Sequence, residues 1–409
     1  MKLNDDQKMM LDGGRGEGAR IAMEMIVAIA NVYGAEDLIP IKSAHCAGLS
    51  LKSHGLAGMR WVEDMAAKGA RVVVPTTMNV VGVDRSRDLG LPKDWVEPQM
   101  RIEKGYEAMG CFGTSSCVPY YYSFLPKFGE HIAWAESSAV VFTNSVLGAR
   151  DNREGGPSAW AAGVTGYTPN YGLHLDENRR GGIRFDITCD INGIADYGAM
   201  GNFIGKMVGE KIPVLVGLDK FKPTTEELVY MGAAMASAGG VAMFHAVGVT
   251  PEAPTVEAAF GGIKDYDTVE FGKKELEQGY HNLTCGKSRD VDFVAIGCPH
   301  MSLNQVRQIA EMLDGKHIKD DVTMWVHTNM AIKAMARELG YLQKIEDAGA
   351  VLTQDLCVVL SCPEVLGFHT LATQSPKMAF YAPGNNGFDV WYGSEEKCVK
   401  AALTGRWED

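Results

Sequence analysis

Residues 130–179 read EHIAWAESSAVVFTNSVLGARDNREGGPSAWAAGVTGYTPNYGLHLDENR. Groups that bind or move protons crowd into this stretch: Glu136, Asn144, Ser145, Arg150, Asn152, Arg153, Glu154 and His174. Cys117 lies just upstream in SSCVPY. A solvated loop would not interleave such groups with Trp134, Val140, Val141, Phe142, Val146 and Leu147. The pattern puts polar side chains inside or beside a core, where each needs a partner, either another side chain or a ligand. The stretch reads as the floor of an active site.

On both sides of it one pattern recurs: a short apolar run, then a polar cluster. LIPI (38–41) precedes KSAHCAG, RVVV (71–74) precedes PTTMN, and VDFVAIG (291–297) precedes CPHMS. VTMWV (322–326) precedes HTN, and AVLT (350–353) precedes QDLC. RFDITCDI (184–191), KIPVLVGL (211–218) and VAMFHAVG (241–248) read as further strands. Apolar periodicity predicts helices over 3–12, 19–33, 225–240, 303–313 and 330–339, with Thr224 or Thr225 as a cap. GGRGEGAR (13–20) follows a helix rather than a strand, so it reads as a helix break and not a phosphate loop. Strands alternating with helices predict an α/β fold of several subdomains with largely parallel sheets, with a subdomain boundary near residue 210. In such sheets ligands bind outside the carboxyl ends of the strands, which is where the Ser, Thr, His, Asn and Cys clusters fall.

The chain has 409 residues, 46% hydrophobic and 22% charged, with a formal net charge of −12. That balance argues against nucleic acid or an anionic membrane as partner. No run is long enough to span a membrane, and MKLNDDQKMMLDGG lacks the order of a signal peptide. The nine cysteines are dispersed, without a CxxC or CxxH pair, which points to a reduced, cytoplasmic compartment. A metal site would have to be assembled from distant positions. Cys189 lies on the apolar face of an alternating strand with Phe185, Ile187 and Ile191, Cys398 lies on a helix, and Cys285 lies in a polar loop. Cys46, Cys111 and Cys362 are in turn-like settings, whereas Cys117, Cys298 and Cys357 sit near strand ends beside Pro or Asp. Spacing alone leaves open whether those three are ligands or all nine are buried or incidental thiols.

SSCVPY, HIAWAESSAVVFTNSVLGAR, NREGGPS, TPNYGLHLDENR, IGCPHMSL and QDLC, in this order, resemble the aconitase X family. The resemblance runs from LDGGRGEGAR near the start to YAPG near residue 384, so it covers essentially the whole of 1–409. It implies an aconitase-like fold, several α/β subdomains around a central cleft. It implies a hydro-lyase that dehydrates a small hydroxy acid: cis-3-hydroxy-L-proline first, with mevalonate 5-phosphate of an archaeal-type pathway as the alternative. It also implies an iron–sulfur or iron centre held by three cysteines, which map to Cys117, Cys298 and Cys357. A 4Fe–4S cluster is favoured over 2Fe–2S, 3Fe–4S or mononuclear iron. Members work with a small swivelling domain carrying a catalytic serine. The pattern leaves no room for that domain here, so a separate small subunit is expected.

Removing water needs a Lewis acid to polarise a poor leaving group and a base for the neighbouring proton. On this reading Lys42, Ser43 and His45 are catalytic candidates. Thr76, Thr77 and Asn79, then Glu136, Asn144 and Ser145, and finally Ser375 and Lys377 contact substrate. Arg150 or Arg153 clamps a carboxylate through two N–H groups. Plainer readings compete: Arg153 with Glu154 as a surface ion pair, Ser43 as a cap, His45 as a structural histidine. The chain departs from the family at Asp151, where a Thr is common, and in GFHTLATQSPK, which has Gln374 and lacks an Arg. Those departures imply a shifted substrate preference. A competing class is a zinc or iron hydrolase using His174, His245 or His300 with cysteine. A third is a structural subunit without activity.

Overall fold

The computed structural model describes residues 1–408. Fourteen strands fall into four sheets, and the order along the chain follows the sheets almost unit by unit. In the first unit, β1 (Leu38–Pro40) pairs antiparallel with β5 (Tyr167–Pro169). β2 (Ala44–Cys46) runs parallel between β3 (Thr76–Met78) and β4 (Ala133–Trp134). The second unit is a parallel sheet of β6 (Ile183–Ile187), β7 (Pro213–Val216), β8 (His245–Ala246) and β9 (Asp267–Phe271), in the order 8-7-6-9. The third is a parallel sheet of β10 (Phe293–Ile296), β11 (Thr323–Thr328), β12 (Val351–Gln354), β13 (Thr370–Thr373) and β14 (Asp389–Tyr392), in the order 12-11-10-13-14. This is the α/β, largely parallel architecture that the alternating pattern predicts.

Each unit has its own apolar core. Met23, Ile26, Val62, Ile102 and Trp160 fill the first, Phe185, Ile204, Phe244 and Phe271 the second, and Val294, Ile309, Val326 and Leu352 the third. Helix starts follow local chemistry: Thr224 and Ser302 each close a capping box, with Glu227 and Gln305. Among the described residues no helix is long and apolar enough to cross a membrane.

Three expectations change. RVVV is not a strand: the Val72 and Val73 amides bond to the carbonyls of Met109 and Gly163 at helix ends, and the paired strand is the next segment, Thr76–Met78. VAMFHAVG contributes only His245–Ala246 to the sheet. Residue 210 is no boundary, because it lies between the helix Gly193–Val208 and β7, inside a β–α–β crossover of one sheet.

The first and third units meet at their strand ends. Val81 and Leu356 form an isolated parallel bridge, with the Val81 amide on the Asp355 carbonyl at 3.1 Å and the Cys357 amide on the Val81 carbonyl at 2.9 Å. That seam fixes the loop after β3 against the loop after β12.

Candidate active site

A cleft of about 280 Å³ opens at this seam, at the carboxyl ends of β2, β3 and β4 on one side and of β10, β11 and β12 on the other. Cys117, Cys298 and Cys357 all line it. Three separate loops deliver them. Cys117 follows Ser116, whose amide bonds to Met78 at the end of β3 at 2.9 Å. Cys298 follows β10, and its amide is held by the Ser375 hydroxyl at 2.8 Å. Gly297 makes that turn: its φ is +100°, and a Cβ there would lie 2.6 Å from the His327 carbonyl oxygen. Cys357 is held through its own amide by Val81.

The Cys298 and Cys357 thiols lie beside each other, and their proximity favours the Cys357 thiolate and disfavours the Cys298 one. Burial, with Glu136 nearby, pushes the Cys117 thiol up, while the His300 amide donates to its sulfur at 3.2 Å. Lys377 lowers the pKa of all three. The donor set fits an iron–sulfur group: soft thiolates, an amide hydrogen bond to sulfur and a cation beside them. Among the described residues no set of three or more His, Cys, Asp or Glu side chains is drawn tightly enough to grip a single metal ion. Cys189 lies elsewhere, partly buried against the core of the second unit. Cys398 is enclosed in the third core, Cys46 and Cys111 are buried in the core of the first unit, and none of the nine cysteines forms a disulfide.

Glu136 and Lys377 close the cleft from opposite sides. Glu136 caps the helix Ser137–Phe142, accepting from the Ala139 amide at 2.7 Å and the Ser138 hydroxyl at 2.5 Å. Lys377 bonds to the Glu136 carboxylate and to the Ser137 hydroxyl. Asn79 also lines the cleft, with its Oδ1 buried and without a partner. His45 lies one layer behind. Its Nδ1 meets the Thr77 hydroxyl at 2.8 Å, the Asn79 amide lies beside its ring short of a well-formed hydrogen bond, and burial lowers its pKa to about 4.

The remaining candidates fall outside the cleft, for reasons of strand polarity and pairing. Lys42 and Ser43 precede β2, at its amino end; Lys42 is exposed, and the Ser43 hydroxyl accepts from the Trp134 indole at 3.0 Å. Thr76 opens β3 and bonds to the Val74 carbonyl. Asn144 and Ser145 are buried and bonded to backbone, Asn144 to Asp151 and Ala242, Ser145 to Phe244. Arg150 does not reach the cleft: its guanidinium is engaged by Glu252 at 2.8 Å and Asp176 at 2.7 Å. Arg153 is exposed beside Gly240. Ser375 stands behind Cys298 rather than in the cleft.

Both departures are structural as well. Asp151 is buried and accepts from the Trp134 amide, tying down β4. Gln374 accepts from the Gly297 amide and the Ser375 hydroxyl and donates to Tyr230, so it braces the Cys298 loop. The three histidines of the hydrolase reading are not brought together. His174 meets His131, His245 meets the Arg179 carbonyl, and only His300 lines the cleft. Both His300 ring nitrogens are occupied, by Ser116 and the Leu356 carbonyl. Sequence reasoning missed His327 and Tyr381, which also line the cleft. The signal for His327 was its place in HTN after an apolar run, and that for Tyr381 its place at the start of YAPG.

Parallel sheets meeting at a thiol-lined cleft define an aconitase-like α/β protein. Residues 1–177, 181–281 and 291–404 match the first, second and third domains of aconitase X. The chain belongs to the aconitase X family. It is 42% identical to the phosphomevalonate dehydratase large subunit of Methanothermobacter thermautotrophicus, over 95% of this chain and 96% of that one. It is 36% identical to the cis-3-hydroxy-L-proline dehydratase of Pseudomonas aeruginosa, over 99% of this chain and 70% of that one. The crystal structure of Thermococcus kodakaraensis aconitase X in its holo-form superposes with a TM-score of 0.90 at 40% identity, covering 98% of this chain and all of that one. The first two of these relatives are dehydratases, and the chain is a hydro-lyase.

Proposed function

We propose that this chain is the large subunit of an iron–sulfur hydro-lyase that removes water from a small hydroxy acid. The observation that carries the reading is the convergence of Cys117, Cys298 and Cys357 on one cleft beside Lys377. When bound, the cluster, with 4Fe–4S favoured, supplies a Lewis-acidic iron for the departing hydroxyl without net redox change. Among the described residues Lys377 is the only cationic side chain in the cleft wall, and it receives the substrate carboxylate. Glu136 holds that ammonium in place, and the unpartnered Asn79 Oδ1 takes a donor from the substrate.

The cleft offers no ready base for the carbon-bound proton. Lys377 is held protonated, Glu136 is tied by three partners, both His300 nitrogens are used, and burial lowers the His327 pKa to about 3, too weak a base for a carbon-bound proton. The proton acceptor therefore comes from a partner, a small swivelling subunit of about 100–150 residues that brings a serine and closes the cleft to water. Nine unpaired cysteines fit a cytoplasmic setting.

Mevalonate 5-phosphate is the first substrate reading, because the match to phosphomevalonate dehydratase large subunits runs end to end at higher identity. Cis-3-hydroxy-L-proline is the second, favoured by the single cation in the wall, since a phosphate calls for more. The test is anaerobic reconstitution followed by assay of both compounds, with and without the candidate small subunit. Turnover of one compound only in the mixture supports the proposal. Full turnover by the isolated chain would place the base within it.

A further inference from the structure

We propose that His327 contacts the substrate, its Nε2 accepting a hydrogen bond from the hydroxyl of the bound hydroxy acid. This rests on the hydroxy-acid reading above. His327 lies in β11 near its carboxyl end, lines the cleft and is 1% exposed. Its Nδ1 is 2.7 Å from the Thr353 hydroxyl oxygen, which is 3.3 Å from the Val326 carbonyl. A carbonyl only accepts, so the one arrangement that satisfies both contacts sends the threonine proton to Val326 and has the threonine oxygen accept from Nδ1–H. That assigns the tautomer and leaves a bare lone pair on Nε2, which has no partner.

A buried acceptor left unpaired weakens the fold unless a ligand answers it. The contrast with His300, a few residues from Cys298 and satisfied at both nitrogens, shows that the fold can saturate an imidazole in this wall when no ligand is to be met. The incoming group must be a donor. A carboxylate has no proton to give near neutral pH and a phosphate little, whereas the substrate hydroxyl has one; the ammonium of the hydroxyproline is also a donor, but L-proline keeps it, so comparing those two ligands isolates the hydroxyl. Burial, with His300 close by, holds the His327 pKa down to about 3, so the ring is a neutral acceptor and neither a cation nor a strong base.

The experiment is calorimetric titration of the cluster-reconstituted chain without its partner, so that nothing turns over. Two pairs of ligands are compared: cis-3-hydroxy-L-proline with L-proline, and mevalonate 5-phosphate with its 3-deoxy analogue. His327→Asn keeps an N–H for Thr353 and removes the acceptor. His327→Gln returns an amide oxygen to the Nε2 position. Comparing the hydroxy-to-deoxy preference between proteins cancels whatever else the hydroxyl touches. The preference should fall about tenfold in His327→Asn and recover in part in His327→Gln. Thr353→Val, which frees the tautomer from outside the cleft, should give an intermediate loss and carries the comparison if His327→Asn does not fold. An unchanged preference in His327→Asn, or in Thr353→Val where that variant stands in, overturns the assignment. If the unmutated chain binds the hydroxy acids and their analogues equally, the assignment also falls, with hydroxy-acid binding intact. If it binds none of the four, the hydroxy-acid reading falls and takes His327 with it.

Discussion

Lys377 and Glu136, 241 residues apart in the chain, are ion-paired in the cleft wall. Burial would raise the Glu136 carboxyl, but Lys377, Ser138 and the Ala139 amide hold it below its ordinary value of 4.5. Burial would lower the Lys377 ammonium, but Glu136 and Cys298 hold it above its ordinary 10.5. The two halves have opposite signs. The Glu136 contribution is complete above about pH 4.5 and is lost as pH falls through the depressed pKa; the Lys377 contribution is complete below about pH 10.5 and is lost as pH rises through the raised one. Lys377→Met should cost about 3 kcal/mol of stability between those limits, because it strands a buried carboxylate. Denaturant midpoints across pH measure this, and a Lys377→Met cost that stays level below pH 4.5 would disconnect it from the pair.

Arg150 now predicts a stability phenotype rather than a kinetic one. It shares Glu252 with Arg179, whose side chain is 2% exposed and whose guanidinium also bonds to Asn144 and the Leu173 carbonyl. Arg150→Ala should cost about 2 kcal/mol, short of the cost for a fully enclosed pair. The Michaelis constant of the reconstituted enzyme should not move. A raised Michaelis constant at unchanged melting temperature would return Arg150 to substrate binding.

The contrast between Arg150 and Cys117 shows what was legible. Strand-end position could be read directly, because apolar runs and the polar residues after them are local in sequence. It led to Cys117, Cys298, Cys357 and Asn79, all of which line the cleft. Arg150 was misplaced because its partner Glu252 is 102 residues away and nothing local announces it. Lys42, Ser43 and Thr76 were misplaced by register. Reading RVVV as the strand put Thr76 and Thr77 beyond its end, whereas the true strand, Thr76–Met78, contains them and releases only Asn79 into the cleft. Lys377 was legible in GFHTLATQSPK, two residues after Ser375, but its ion pair with Glu136 is purely tertiary.

Gln374 offers a separate test of how the Cys298 loop is held. Its side chain joins Gly297, Ser375 and Tyr230, and the Tyr230 hydroxyl donates to the Pro299 carbonyl at 3.1 Å. Gln374→Ala should leave the fold intact and shorten the lifetime of the reconstituted cluster in air. Iron content per chain over time reads this out. A changed substrate preference at unchanged iron retention would mean that position 374 acts on substrate directly.

The three thiols predict a loss that other cysteines do not share. Cys117→Ser, Cys298→Ser and Cys357→Ser should each lose most of the reconstituted iron, the visible absorbance and the dehydratase activity, because a serine hydroxyl is a poor ligand for iron at neutral pH. Cys189→Ser, partly buried against the core of the second unit, should keep all three at a cost of roughly 1 kcal/mol in stability. Removing iron from the unmutated chain with a chelator should bleach it and abolish turnover while the far-ultraviolet circular dichroism stays unchanged, since each unit has its own apolar core. The comparison works because the thiols differ in place and not in chemistry: the loops after β10 and β12 bring Cys298 and Cys357 into one cleft wall, while Cys189 packs against another sheet. Full iron occupancy in Cys117→Ser would remove that residue from the ligand set and leave the cleft with a two-thiol site, too few to hold a cluster of the proposed kind.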